Sequence, residues 1–220
     1  MRILLTAGPT REPIDEVRFI SNRSSGKMGV SLARAAAERG HQVLLLLGQG
    51  TVEPPPGLPV ERFETNDDLR RLLEAHFGAC DALIMAAAVS DYRPARAKPG
   101  KMPRSVASDV RMRLRPTVDL VALAAQRRQP NQIVVAFALE APEHIEHRAA
   151  EKLREKGVDA IVANPLKTME ADDVEPLWLT ANGQREAPGR MPKSDFGPWL
   201  IERVERLASN GKSKIRISKS

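Results

Sequence analysis

Four stretches of this chain carry side chains of the kinds that do chemistry. The first is Ser21-Asn22-Arg23-Ser24-Ser25-Gly26-Lys27-Met28-Gly29. Hydroxyls and glycines there lead into a helix start, where unpaired backbone N–H groups and the positive helix end make an anion site. It is neither a Walker A loop nor a GxGxxG fingerprint: Lys27 is followed by Met28, and no glycine stands five residues before Gly26. The plain alternative is a tight turn in which Ser24 or Ser25 only caps the helix. Gly8 to Ile20 comes just before, a strand-to-helix connection far longer than the usual two to six or so residues. Long ordered loops of this kind are usually functional, and Arg11, Arg18, Asn22 and Arg23 are its candidates to face a ligand. Ion pairs with Glu12, Asp15 and Glu16 are the alternative for each arginine.

The second stretch is Met85-Ala86-Ala87-Ala88-Val89-Ser90-Asp91. Small residues at a strand exit let a flat group approach the backbone, and Asp91 can accept from an amino or hydroxyl group or hold Mg²⁺. The third is the basic run Arg93–Arg115, with Lys98, Lys101, Arg104, Arg111, Arg113 and Arg115, which reads as a flap able to close over phosphates. The fourth is Val134–Glu140, containing Ala136 and Phe137, followed by Lys152 and Lys156. Those lysines are four apart on one helix, so both ammonium groups reach one site. For the flap and for the lysines, a solvated surface is the competing reading.

Elements that must position these residues follow from periodicity. Continuous apolar runs at Ile3–Ala7, Gln42–Leu47, Ala82–Ala88, Gln132–Ala138 and Asp159–Ala163 read as buried strands, with Val60–Phe63 a short sixth. Helices are expected over Gly26–Arg39, from a Thr65 or Asn66 cap to about Phe77, over Pro116–Arg127, over Pro142–Lys156 ending at Gly157, and over Lys193–Leu207. Leu177–Thr180, Asn182-Gly183 and the residues after them read as a hairpin with a type I′ turn. Alternating helices and continuous apolar strands mean a parallel sheet covered on both faces. The expected fold is therefore α/β: a Rossmann-like, doubly wound, mostly parallel sheet with a flap at about 93–115 and a C-terminal β-hairpin. Such sheets bind ligands beyond the carboxyl ends of their strands, which directs attention to Gly8, Ala86, Phe137 and Asn164 onward. One domain over 1–207 and a basic, flexible tail over 208–220 are expected.

Composition narrows the function. The chain has 220 residues and a net charge of +6. Eight Lys/Arg against one Asp make 93–116 net +7, the tail from Ala208 is +4, and the rest is −5. Aromatics are 4%, too few for the stacking platforms of a nucleic-acid binder. A small anionic ligand explains an internal basic loop better. One cysteine, Cys80, excludes a disulfide scaffold and a cysteine zinc site. No apolar run approaches the roughly 20 residues of a membrane span, and Gly8-Pro9 breaks the first apolar run too early for a signal peptide. A cytoplasmic protein is the expectation.

Taken in order, TAGPTREPID (Thr6–Asp15), VRFISNRSSGKMG (Val17–Gly29), IMAAAVSDYR (Ile84–Arg93), Lys101 in its basic flap, AFALE (Ala136–Glu140) and KLREKGVDAIVAN (Lys152–Asn164) resemble phosphopantothenoylcysteine synthetase, in its bacterial form. The resemblance runs over about 3–205. It implies a ligase of coenzyme A biosynthesis that joins 4′-phosphopantothenate to L-cysteine. The carboxylate first attacks the α-phosphate of a nucleoside triphosphate, CTP in most bacterial members and ATP as the alternative, with Mg²⁺. The cysteine amine then displaces the nucleotide. The implied roles are Asn22 on the acyl intermediate, Arg18 at the substrate or subunit contact, Lys101 on the nucleotide phosphates, and Ala88 at the substrate. The implied nucleotide pocket is Gly8, Ser24, Ser25, Gly26, Met85, Ala86, Ala87, Asp91, Ala136, Phe137, Lys152 and Lys156. A homodimer is implied, without nucleic acid or membrane, and the flavin-dependent decarboxylase that many bacteria fuse to this domain would be a separate partner. The chain departs from the family pattern at Pro103, Ala141 and Pro165.

Two other readings use the same architecture. An NAD(P)-dependent oxidoreductase is opposed by the missing glycine fingerprint and by Arg96, not lysine, four residues after the only tyrosine, Tyr92. A basic nucleic-acid-binding module rests on the flap and tail alone.

Overall fold

A computed structural model describes residues 1–50, 52–103, 109–169 and 171–217, with side chains as far as Ser209. Along the chain come β1 (Arg2–Ala7), β2 (Arg11–Pro13), β3 (Phe19–Ser21), α1 (Lys27–Glu38), β4 (Gln42–Leu47), β5 (Val60–Arg62), α2 (Asn66–His76), β6 (Ala82–Met85), β7 (Tyr92–Pro94) and β8 (Leu114–Pro116). They are followed by α3 (Leu120–Arg127), β9 (Ile133–Glu140), α4 (Ile145–Lys156), β10 (Ala160–Pro165), β11 (Asp173–Val174), β12 (Leu177–Thr180), β13 (Arg185–Glu186), β14 (Met191–Pro192) and α5 (Lys193–Ile217). Eight strands form one sheet in the order β13-β12-β10-β9-β6-β1-β4-β5. Six are parallel, and β12 and β13 add an antiparallel edge. The α/β, doubly wound expectation holds.

The alternation hidden in the apolar runs sorts two cores. In β1, Ile3, Leu5 and Ala7 face α1 and α5, where Val30, Leu32, Phe196, Leu200 and Val204 are buried. Leu4 faces the other way, toward Leu69, Leu73, Leu120 and Leu153 of α2, α3 and α4. Both sides of each central strand are thus dry, which is why these strands show no polar alternation. Cys80 is buried beneath α2, and burial pushes its thiol up to about 11, where it stays protonated and inert.

Several boundaries differ from the sequence reading. Pro116 belongs to β8, and α3 starts only at Leu120, because Asp119 caps it by accepting from the Ala122 N–H at 3.0 Å. The third strand stops at Met85, freeing Ala86–Ala88 from the sheet. The hairpin has no two-residue type I′ turn: the Gly183 N–H bonds the Thr180 carbonyl at 3.0 Å, and Gly183 itself takes φ +87° after the turn. That is a three-residue loop closed by a left-handed glycine. Helix α5 runs on to Ile217, ten residues past the expected end. Three two-stranded ribbons, β2-β3, β7-β8 and β11-β14, stand outside the main sheet. Of the flap, 104–108 lie outside the described residues, as do 218–220 of the tail.

Strand order reverses between β1 and β6, whose neighbours in sequence lie on opposite sides. Carboxyl ends at such a switch point open a crevice. Helix α1 is seated tightly there: a Cβ on Gly29 would stand 2.3 Å from the Ala7 Cβ and 2.9 Å from its Cα. We expect Gly29→Ala to cost about 2 kcal/mol through overpacking, read as a lowered urea midpoint at unchanged slope. An unchanged midpoint would show that α1 can lift off β1 freely.

Candidate functional site

The segments leaving β1 and β6 continue side by side past the sheet. Ala88 N–H bonds the Gly8 carbonyl at 2.9 Å, Thr10 N–H the Ala88 carbonyl at 3.2 Å, and Ser90 N–H the Thr10 hydroxyl at 2.9 Å. Buried Thr6 joins in by accepting from the Ala87 N–H at 3.1 Å. The Asn22 side-chain amide is pinned to this frame, donating to the Val89 carbonyl at 2.9 Å and keeping one N–H for another acceptor. Thr117 ties in the start of the α3 segment through its N–H to the Asp91 carbonyl and its hydroxyl to the Ser90 carbonyl.

The cradle before α1 depends on glycine. Gly26 caps the helix at φ +83° with no side-chain cap, and it packs on Gly8, which has φ +79°. A Cβ on Gly50 would fall 2.6 Å from the Ser25 carbonyl, so the loop after β4 supports the cradle from beneath. Ser25 Oγ accepts from the Lys27 N–H at 3.3 Å. The remaining first-turn N–H groups of α1 therefore open toward the crevice.

A cleft of about 760 Å³ fills this crevice. It brings together Asn22, Ser24, Ser25, Gly26, Met85, Ala86, Ala87, Ala88, Asp91, Phe137, Lys152 and Lys156 from the sequence-selected residues. Gly8 and Ala136 are buried under it and Arg18 and Lys101 stand apart, so none of these four is in its lining. Arg11 lies over the Phe19 ring, 4.6 Å from the centroid. Lys152 pairs with Glu140 at 2.6 Å and Lys156 with Asp119 at 2.8 Å. Burial would raise the Asp119 carboxyl, but the Lys156 and Ala122 hydrogen bonds outweigh it and hold the group below its ordinary value.

Of the lining residues that were not selected as site residues, two stand out. Asn164, at the end of β10, is 4% exposed, and its Oδ1 is buried without a hydrogen-bond partner among the described residues. A buried, unpaired amide oxygen in a cleft is a ligand contact in waiting. Only its place at a strand's carboxyl end hinted at this. Lys193, the first residue of α5, also lines the cleft and carried no sequence signal.

Arg18 instead meets the flap at Met102, next to Lys101. The buried Asp15 carboxylate accepts from the Val17 and Arg18 N–H groups at 2.8 Å and from the Met102 N–H at 3.1 Å. The Arg18 guanidinium reaches the Met102 carbonyl at 2.8 Å, Gly100 donates to Glu16, and Lys98 donates to the Ile14 carbonyl. The base of the flap is thereby stitched to the 14–18 turn.

The family model of the DNA/pantothenate metabolism flavoprotein C-terminal domain matches residues 1–207. The chain belongs to this family. A cysteine/cysteine sulfinic acid decarboxylase from an unknown prokaryotic organism is 41% identical over 167 residues, 76% of this chain and 46% of the relative. The coenzyme A biosynthesis bifunctional protein CoaBC of Mycobacterium bovis is 37% identical over 216 residues, 92% of this chain and 51% of the relative. The chain thus spans about half the length of these curated relatives. A crystal structure of the C-terminal domain of CoaBC superposes with a TM-score of 0.80 at 32% identity, covering 95% of this chain and 96% of that one. The family is the one the ordered segments resemble. No helix among the described residues is long and apolar enough to cross a membrane.

The Asp15 stitch gives a pH prediction. The Val17 N–H, with those of Met102 and Arg18 and the Arg18 charge, holds the Asp15 carboxyl below its ordinary value despite its burial. A depressed carboxylate stabilises above its unfolded pKa of about 3.9 and loses that stabilisation as pH falls through the lower folded value. Amide exchange at Met102 should therefore stay protected from neutral pH down to about pH 4 and lose protection below it. Asp15→Asn should lower that protection about tenfold at pH 7, the loss of roughly one charge-assisted hydrogen bond. Protection already failing at pH 6 would sink this account.

Proposed function

We propose that the chain is a phosphopantothenate–cysteine ligase. A carboxylate oxygen of 4′-phosphopantothenate attacks the α-phosphorus of CTP, with ATP the alternative, and pyrophosphate leaves. The cysteine amine then attacks the acyl carbon and the nucleoside monophosphate leaves. The observation that carries this reading is a single cleft in which a phosphate-sized cradle at α1, the small-residue exit of β6 and a lysine pair on α4 face one another. Family membership and the residue-by-residue resemblance support it.

Each group has a physical task. The Ser24–Gly26 cradle and the α1 N-terminus take phosphate oxygens. Lys152 and Lys156 exchange their carboxylate partners for phosphates, a swap that costs little because both pairs are partly exposed. Phe137 and Met85–Ala87 make a flat, apolar slot for the base, with Asp91 and Asn164 at its rim for polar edges. Asn22, held by Val89, offers its free N–H to the oxyanion that forms when cysteine attacks. Asp91 and Asp119, the two carboxylates of the cleft lining, would hold Mg²⁺, a hard cation that takes one or two carboxylates beside substrate phosphates. When bound it screens the repulsion between a carboxylate and a polyanion.

Lys101 and Arg18 belong to the Asp15-stitched unit rather than to the cleft lining of their own chain. We assign that unit to the cleft of a second copy in a homodimer. Large apolar side chains left exposed beside it support an intersubunit face: Val17 and Phe19 at β3, Tyr92 on β7 and Leu114 on β8. Lys101 then supplies phosphate counter-charge in the first half-reaction, and Arg18 contacts the substrate.

Incubation with 4′-phosphopantothenate, cysteine, Mg²⁺ and each nucleoside triphosphate in turn, with products read by mass, tests the reading. Amide product with CTP, pyrophosphate and CMP is the expected set; no product with any triphosphate would overturn it. Asn22→Asp should keep pyrophosphate release while cutting amide product about a hundredfold, the usual loss for an oxyanion donor. Lys101→Gln should slow pyrophosphate release at least about tenfold by removing a charge-assisted contact. Normal amide yield from the first variant, or normal release from the second, would remove the assigned role.

A further inference from the structure

Four lysines line the cleft: Lys27, Lys152, Lys156 and Lys193. Three are already neutralised by carboxylates, Lys27 by Asp172 at 2.9 Å and the two on α4 by Glu140 and Asp119. Lys193 differs. It is half-buried, and among the described residues no carboxylate oxygen comes within ion-pair distance of its ammonium. Its Nζ donates to a neutral group, the Ala171 carbonyl.

Its backbone is fixed from two sides. The Lys193 N–H donates to the Asp172 carbonyl at 3.0 Å, and its own carbonyl accepts from Ser31 Oγ of α1 at 2.9 Å. Three residues on, Phe196 packs edge-on against Phe137 of the cleft wall, with centroids 6.3 Å apart. The start of α5 is therefore clamped to both α1 and the base slot, and it delivers the Lys193 stem to one place. The charges facing it are Lys27, Asp172 and Asp173. Burial first, then the nearby Lys27 charge, outweigh Asp172 and Asp173 and lower its pKa, so this ammonium is partly dehydrated and has no carboxylate in contact.

We infer that Lys193 is a further phosphate-binding residue, holding with Lys27 the terminal phosphates of the nucleotide and the pyrophosphate that leaves, opposite Lys152 and Lys156. The position follows from the neighbours. Lys27 is the first residue of α1, directly after the Gly26 cradle, and Lys193 stands beside it. An arriving polyanion gives Lys193 the charged partner it lacks and competes with Asp172 for Lys27. This rests on the ligase reading for the identity of the polyanion.

Titration calorimetry of the full chain with CTP, CMP and inorganic pyrophosphate in Mg²⁺ buffer tests it. Lys193→Met should weaken CTP and pyrophosphate binding about tenfold or more, the worth of one charge-assisted contact, and change CMP binding less than about twofold. Lys193→Arg should restore CTP binding to within about threefold of the wild-type value, since it keeps the charge. Should Lys193→Met melt far below the wild-type chain, Lys193→Gln, which keeps a donor for Ala171, is read in its place. Unchanged CTP affinity in a folded variant, or an equal loss for CMP, overturns the inference and leaves the ligase reading standing. A wild-type chain that binds none of the three probes overturns the ligase reading, and this assignment falls with it.

Discussion

Everything at the site depends on how closely backbone can approach backbone where β1 and β6 leave the sheet. Ala88 donates to the Gly8 carbonyl and accepts from the Thr10 N–H there, bridging Pro9 as though the sheet went on, and Gly26 lies on Gly8. A Cβ on Gly8 would stand 3.0 Å from the Gly48 carbonyl oxygen, and one on Gly48 only 2.4 Å from that of Pro9. Side chains at these positions would hold the three exit loops apart. Without them, peptide groups from β1, β4 and β6 stack into one rigid floor, and the α1 N-terminus is set onto it. The pinned Asn22 amide and the cradle are consequences of that contact.

Charge then decides what the floor receives. The cleft holds enough cations to bind a polyphosphate, yet with no anion present most of them are matched by carboxylates on adjacent elements. Partly exposed pairs of this kind are worth little, about 1 kcal/mol or less each, so they keep lysines ordered without resisting exchange. A site built in this way stays folded when empty and gains its net interaction only when ligand arrives. Among the cleft's lysines, Lys193 stands outside this matching, with no carboxylate oxygen at ion-pair distance among the described residues.

Much of the frame was legible from composition and period. Continuous apolar strands separated by Ala-rich or capped helices forced a parallel sheet, and Thr65 with Asp68 forms a full capping box at the expected helix start. What escaped the sequence was set by contacts distant along the chain. The β2-β3 and β7-β8 ribbons pair residues such as Pro13 with Phe19 and Arg93 with Arg115, and no local pattern distinguishes them from loop. Pro116 looked like a helix opener until Thr117 was found bonded to Asp91 and Asp119 took the cap. Asn182-Gly183 looked like a two-residue turn, but the Thr180 hydroxyl accepts from the Gln184 N–H at 2.9 Å, and that fits the longer loop. Asn164 and Lys193 are ordinary residues at element ends. Their interest comes from an unpaired oxygen and a missing counter-charge, properties of three-dimensional surroundings alone.

The same distinction explains the flap. As sequence it is a basic run, for which a solvated surface is the ordinary outcome. Its base is nonetheless tied by five backbone and side-chain bonds to the 14–18 turn, with Asp15 as an acceptor shared by the turn and the flap. Arg18 and the backbone either side of Lys101, far apart in the chain, are therefore held together. A lysine on a free loop loses most of its binding energy to ordering. Where Asp15 fixes the neighbouring Met102 backbone, the backbone share of that cost has been met in folding. This segment stands outside the lining of its own cleft, and Phe19 and Tyr92 are exposed near its turn, so the positioning carboxylate and the apolar ribbons together form the arrangement that the proposed service to a second copy's cleft would require.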